Sequence, residues 1–147
     1  MSQARRVHLG YAAAGLGYVA ATFVLSSSPA DLSIVSGAPR ILTNLLHLPL
    51  YAGLACCLLL SVNAGRWKQS LAWRPYVVIG LIAAIIAAVN EWYQAAVPGR
   101  FASVTDFGLN VVGIVGLVLI HRLFTGRNGA TAAVMDAADV SVRRVGS

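Results

Sequence analysis

Apolar residues run almost unbroken through four stretches, 7–25, 41–62, 75–94 and 104–124. Each is close to the roughly twenty residues that a helix needs to cross the hydrocarbon of a bilayer. The intervening stretches carry turn chemistry: Pro29, Gly37 and Pro39 in 26–40, a polar 63–74, and Pro98-Gly99 in 95–102. The pattern predicts an all-α integral membrane bundle of four transmembrane helices. It divides the chain into a short N-terminus, 1–6, a four-helix domain, 7–124, and a polar tail, 125–147, expected to be largely disordered. Val134, Ala138, Val142 and Val145 leave room for a short surface helix in that tail. Small residues in Ser26-Ser-Ser-Pro-Ala30 raise the alternative of a cleaved signal peptide, but the preceding apolar run is longer than a usual signal core.

Details within the runs sharpen the prediction. Ala13, Gly17 and Ala21 recur every four residues, as do Gly80, Ala84 and Ala88. Such small-residue seams let another helix approach closely. The second seam leads on to Glu91, which places that carboxylate inside the bundle. Pro49 cannot donate to the carbonyl of Leu45, so the second helix is expected to kink or open there. Cys56 and Cys57 are adjacent, which disfavours a disulfide between them, and they read as small apolar filler.

Composition agrees with the pattern. Of 147 residues, 58% are hydrophobic and 11% charged, and the mean hydropathy is +0.73. The formal net charge is +6. No long basic run and no basic stripe with interleaved aromatics points to nucleic acid. The charges instead sort by loop. Arg5, Arg6, Arg66, Lys68, Arg74, Arg122, Arg127, Arg143 and Arg144 fall on one side of the four runs, and only Arg40 and Arg100 on the other. The positive-inside rule then places both termini in the cytoplasm. Trp67, Trp73 and Tyr76 would line the inner interface, and Trp92 and Tyr93 the outer one.

With that orientation the polar residues converge. His47 lies roughly 9 Å below the outer face, Glu91 and Gln94 close the third helix, and Asp106 and Asn110 open the fourth, about 6 Å apart along its axis. Asp106, Asn110 and Gly113 share one helix face, as do His47, Tyr51 and Leu54. Arg100 stands in the turn between the two carboxylates. Charged groups in a membrane domain are costly and are commonly functional. The inner halves of the runs hold no Asp, Glu, Lys or Arg, so a one-sided cup fits better than a transport path. Each residue also has a structural reading. Ser103 and Asp106 form a capping-box pattern, Arg100 can snorkel to headgroups, Glu91 can sit at a helix end, and His47 can be an interhelical hydrogen bonder. Asp31 and Tyr51 fit loop and core. Asn44 and Gln94 are weaker candidates.

These residues resemble the pattern of the VanZ-like family, named for a protein linked to teicoplanin resistance. His47, Tyr51 and Leu54 match its His-Tyr-Leu positions. Glu91, Gln94, Pro98-Gly99-Arg100, Ser103, Asp106, Asn110 and Gly113 match its later motif. The resemblance covers residues 8–124. The family often carries Asp or Lys where this chain has Asn44. The resemblance implies a four-span protein of a bacterial-type cytoplasmic membrane, related to glycopeptide resistance and similar to groups proposed to act on lipid headgroups or lipid-linked envelope intermediates.

Two expectations for function follow. In the first, an enzyme performs phosphoester chemistry on a lipid headgroup. His47, Glu91 and Asp106 are its catalytic groups, and Arg100, Gln94, Asn110 and Tyr51 bind substrate. No cofactor is expected, and a divalent metal near Glu91 and Asp106 has little support because oxygen-ligand sites rarely show fixed spacing. In the second, the same cup binds a lipid-linked glycan, an antibiotic or a partner membrane protein without turnover. A transporter is the third reading.

Overall fold

The structure is a computed structural model. It describes the backbone of residues 7–27 and 40–145, and side chains of 7–27, 42 and 44–126. Residues 1–6 and the loop that carries Asp31 lie outside the described residues.

Every regular element among the described residues is an α-helix: α1 Leu9–Ser27, α2 Arg40–Leu45, α3 His47–Val62, α4 Trp73–Gln94 and α5 Val104–Val145. Three helical stretches, Leu9–Ser27, Trp73–Gln94 and Val104–Gly126, are long and apolar enough to cross a membrane. The distribution of polarity points the same way. Asn90, Glu91, Gln94, Asn110 and His121 are buried, while Leu16, Val24, Leu81, Ile85, Val112 and Leu119 are exposed. A water-soluble bundle would reverse that arrangement.

The second apolar run is divided. Leu46 separates α2 from α3, immediately after Leu45, the residue whose carbonyl loses a donor to Pro49. The Leu46 and Leu50 amides still reach back to Leu42 and Leu46, at 3.3 and 3.2 Å. α4 starts two residues earlier than hydropathy indicated, and Pro75 sits in its first turn, where its missing N–H leaves no bond unmade. α5 continues past 124 to Val145. Its last part is the segment expected to be largely disordered, and the alanines between 130 and 138 supply the helix propensity.

Small residues decide how closely the helices approach, though not always the ones anticipated. Ala13, Gly17 and Ala21 are exposed, and α1 instead buries Gly15, Thr22 and Ser26. On α4 the buried face runs through Tyr76, Ile79, Ala83, Ala87, Asn90, Glu91 and Gln94. Ala83 and Ala87 thus lie one position round from the expected seam, and Glu91 still points inward. The tightest crossing joins α5 to α3. A Cβ on Gly113 would collide with the Leu48 carbonyl oxygen and lie 3.1 Å from its carbon. Gly53 similarly leaves room for the Tyr18 ring of α1.

Two apolar layers fill the interior. Tyr51, Leu54, Ala55, Ala83, Ala87 and Ile114 form one. Leu59, Leu71, Tyr76 and Ile79 form the other. A polar cluster stands at each end of this stack, one around Glu91 and one around His121.

Beyond α3, the chain turns in a Schellman motif. Gly65 N donates to Leu60 O at 2.8 Å and Ala64 N to Ser61 O at 3.4 Å. Ala64, at φ 52°, and Gly65, at φ 76°, adopt the left-handed backbone this requires. The Asn63 side chain then ties the loop together through Arg66 O (2.6 Å) and Gln69 O (2.8 Å).

Candidate functional site

The cluster at the Glu91 end is built by three helices and one turn. The Gly113–Leu48 approach brings α3 and α5 together one turn away from Asn110, so that His47 and Asn110 meet. His47 Nδ1 and Asn110 Oδ1 are 2.8 Å apart. Asn110 Nδ2 donates to Glu91 Oε1 at 3.4 Å. Glu91 Oε2 accepts the Ser103 backbone N–H at 3.2 Å. Glu91 is 6% exposed and Asn110 is 0% exposed.

The hydrogen-bond directions follow from the acceptor at the end of the chain. Glu91 Oε1 accepts from the Asn110 NH2, so the amide oxygen faces His47. That oxygen only accepts, so His47 Nδ1 carries the proton. In the neutral ring Nε2 then holds a lone pair. No hydrogen bond joins Nε2 to another described residue. The Glu91 carboxyl is therefore linked through one amide to an imidazole whose Nε2 lies at the far side.

Between α4 and α5, Val97, Pro98, Gly99 and Arg100 form a turn closed by Arg100 N to Val97 O at 3.1 Å. Pro98 followed by Gly99 at φ 75° is the chemistry of a type II turn. It returns the chain so that α5 begins beside Glu91. Ser103 caps α5, accepting the Asp106 amide on its Oγ at 3.1 Å. The capping box is only half made, because Glu91 takes the Ser103 amide that Asp106 would normally accept. Asp106 is thereby released from the capping role. It lies near Glu91 without a hydrogen bond to it.

Three buried oxygens have no hydrogen-bond partner among the described residues: Tyr51 Oη, Asn90 Oδ1 and Asp106 Oδ1. Tyr51 lies beside Asn90 and within reach of the Glu91 charge. The geometry nevertheless completes no bond between Tyr51 Oη and Asn90 Oδ1. An unpaired buried polar atom costs about 1–3 kcal/mol. These three oxygens are the unsatisfied positions of the cluster among the described residues.

The remaining expected site residues join a second group against the end of α1. Gln94 Nε2 donates to Ser26 Oγ at 3.1 Å. Arg100 Nη2 donates to the Leu25 carbonyl at 3.4 Å. Tyr93 Oη and Ser27 Oγ are 2.9 Å apart, and the Tyr93 ring packs on Phe23. The structure thus brings together His47, Glu91, Asn110 and, through Ser103, Asp106, with Tyr51 adjoining. Gln94 and Arg100 form the rim against α1. Asn44 is half-buried on α2, one turn before His47. Among the described residues no group of three or more His, Cys, Asp or Glu side chains could hold a metal ion.

Sequence reasoning missed Asn90, which is buried beside Glu91 and follows Ala83 and Ala87 on the same helical face. It also missed the network at the other end. Tyr76, expected at an interface, is buried, and its hydroxyl lies 2.8 Å from His121 Nδ1. His121 Nε2 lies 2.7 Å from the Trp67 carbonyl, and the Leu71 amide donates to Tyr76 Oη at 3.4 Å.

Comparison with protein-family models, with curated proteins and with solved structures finds no match for this chain.

Proposed function

We propose that this chain is a four-span membrane enzyme of the VanZ-like type that performs phosphoester chemistry on a lipid headgroup or lipid-linked envelope intermediate. α2 and α3 together make the fourth span. Both termini are cytoplasmic, and the Glu91 end opens to the extracytoplasmic side of a bacterial-type cytoplasmic membrane. The loop charges support that sidedness. Arg66, Lys68, Arg74 and Arg122 are all exposed at the His121 end. The motif resemblance supports the substrate class.

The observation that carries the reading is the chain from Glu91 through Asn110 to His47. Glu91 holds Asn110, Asn110 holds the His47 ring with its proton on Nδ1, and Nε2 is presented as a general base. Nε2 takes the proton of an attacking water or lipid hydroxyl as its oxygen bonds to phosphorus. The imidazolium so formed is stabilised through Asn110 by Glu91. It returns the proton to the leaving oxygen as the original P–O bond breaks. Arg100, at the rim, receives the phosphate through its planar fork of donors. Asp106, Tyr51 and Asn90, whose buried oxygens have no partner among the described residues, adjoin this chain.

One observation favours a non-catalytic alternative. Glu91 also fastens the α4–α5 turn through the Ser103 amide, so its burial has a structural use in a module that binds a lipid-linked glycan, an antibiotic or a membrane partner. Lipid mass spectrometry of cells expressing wild type or Glu91→Gln at matched levels separates the two. The enzyme reading expects a headgroup or lipid-linked species that changes with wild type alone. Indistinguishable profiles for wild type, variant and empty cells would reject turnover in favour of binding.

A further inference from the structure

At the His121 end, α4 and α5 part to leave a groove of about 250 Å³. Its walls include Val77, Gly80, Val115 and Leu119, and Trp73 and Arg122 also line it. A Cβ on Gly80 would meet nothing within 4 Å, so the groove is open beside that residue. Val115 lies seven residues before Arg122, so the apolar trough extends roughly 10 Å along the axis from the cation. Tyr76 lines it as well, and its hydroxyl is held by His121 and Leu71, which fixes that wall. Trp73 is 64% exposed.

The lining is unequal in chemistry. It is apolar along its length, has one permanent cation at one end and includes no acidic side chain. Arg122 is exposed and lines the groove at that end. The wider groove at the opposite end, about 420 Å³ between Phe23, Val89, Trp92, Tyr93, Ala95 and Ala96, has no charged side chain in its lining. It therefore offers hydrocarbon contact without a headgroup partner.

We propose that the α4–α5 groove binds one anionic phospholipid, with an acyl chain along Val77, Gly80, Val115 and Leu119 and the phosphate on Arg122. A guanidinium meets a phosphate bidentately, and Trp73 contributes a flat apolar face at the headgroup level. A zwitterionic headgroup sets its own ammonium against the same cation, so the site discriminates by net charge. This lipid is distinct from any substrate at the Glu91 end, and the inference does not depend on the enzymatic reading.

The test uses the full chain, purified in detergent and examined by native mass spectrometry with added phosphatidylglycerol or phosphatidylcholine. Wild type should retain one phosphatidylglycerol in preference to phosphatidylcholine. Arg122→Gln should weaken that retention roughly fivefold or more, given the attraction of one cation for an anionic lipid. Gly80→Leu, which fills the trough and leaves the cation, should weaken retention of both lipids. Equal retention of phosphatidylglycerol by wild type and Arg122→Gln, or equal retention of the two lipids by wild type, would overturn the proposal. Arg122 is exposed and makes no interior packing, so its variant keeps the test decisive even if Gly80→Leu does not fold.

Discussion

The bundle holds a histidine network at each end, and the two are wired in opposite senses. His121 is closed. Its Nε2 donates to the Trp67 carbonyl, its Nδ1 accepts from Tyr76, and Tyr76 in turn accepts the Leu71 amide. Every polar atom of that network has a partner, and the ring also meets Trp67 edge-on at 4.6 Å. A buried network with all its members satisfied stiffens the structure and leaves nothing to react. His47 is open. One ring nitrogen is held by Asn110, the other has no hydrogen bond to a described residue, and buried oxygens of Tyr51, Asn90 and Asp106 lie unpaired. A carboxylate backs the open network, and among the described residues none is hydrogen-bonded to the closed one. Both ring nitrogens of His121 have fixed partners, whereas His47 has one on Nδ1 alone among the described residues.

The comparison can be broken most directly at Glu91. Glu91→Gln keeps the size and most of the hydrogen bonding but removes the charge behind His47. Turnover should fall by up to the roughly 10²–10⁴-fold that the positioned base His47 contributes, while thermal unfolding in detergent changes little. A variant with full activity would separate Glu91 from the chemistry. Next comes the crossing that brings α3 to α5. Gly113→Ala drives a Cβ into the Leu48 backbone and should cost about 1–3 kcal/mol of stability. Turnover should fall with it, because His47 is moved from Asn110. Unchanged activity in a destabilised protein would show that the His47–Asn110 contact is not needed.

The closed end gives the contrasting result. His121→Phe leaves Tyr76 and the Trp67 carbonyl without their partner and should cost about 1–3 kcal/mol. Activity per folded molecule should not change. Loss of turnover without loss of stability would erase the distinction between the two ends. The smallest effect is expected from Ser103→Ala. It removes the α5 cap, worth about 1 kcal/mol. The bond to Glu91 uses the Ser103 backbone and survives, so activity should stay close to wild type in a lipid-turnover assay.

Much of this arrangement was legible in the sequence. Helix positions followed from apolar runs because membrane-type helices carry a strong, long signal, and α1 and α4 agree with expectation to within a few residues. His47, Glu91 and Asn110 could be placed together because their depths along successive helices coincide. Rotation about the helix axis was harder. The Gly80–Ala84–Ala88 seam is about one residue off the buried face, and the Ala13–Gly17–Ala21 seam is exposed. In nearly uniform apolar helices, periodicity carries little information about which face turns inward. The exchange of the Ser103 amide from Asp106 to Glu91 was also hidden. A local capping motif cannot show that a carboxylate twelve residues earlier competes for the same donor. The His121 network escaped because each member alone looks like an interface residue, and only the fold of the 63–72 loop presents the Trp67 carbonyl to the ring.

The most direct measurement is the tautomeric state of the histidines by ¹⁵N solid-state NMR on histidine-labelled protein in bilayers, assigned with His47→Gln and His121→Phe. The hydrogen-bond directions predict opposite tautomers: the proton on Nδ1 in His47 and on Nε2 in His121. Finding His47 protonated on Nε2, with Nδ1 as the acceptor, would contradict the account, because the Glu91–Asn110 chain would then not be presenting a base at all.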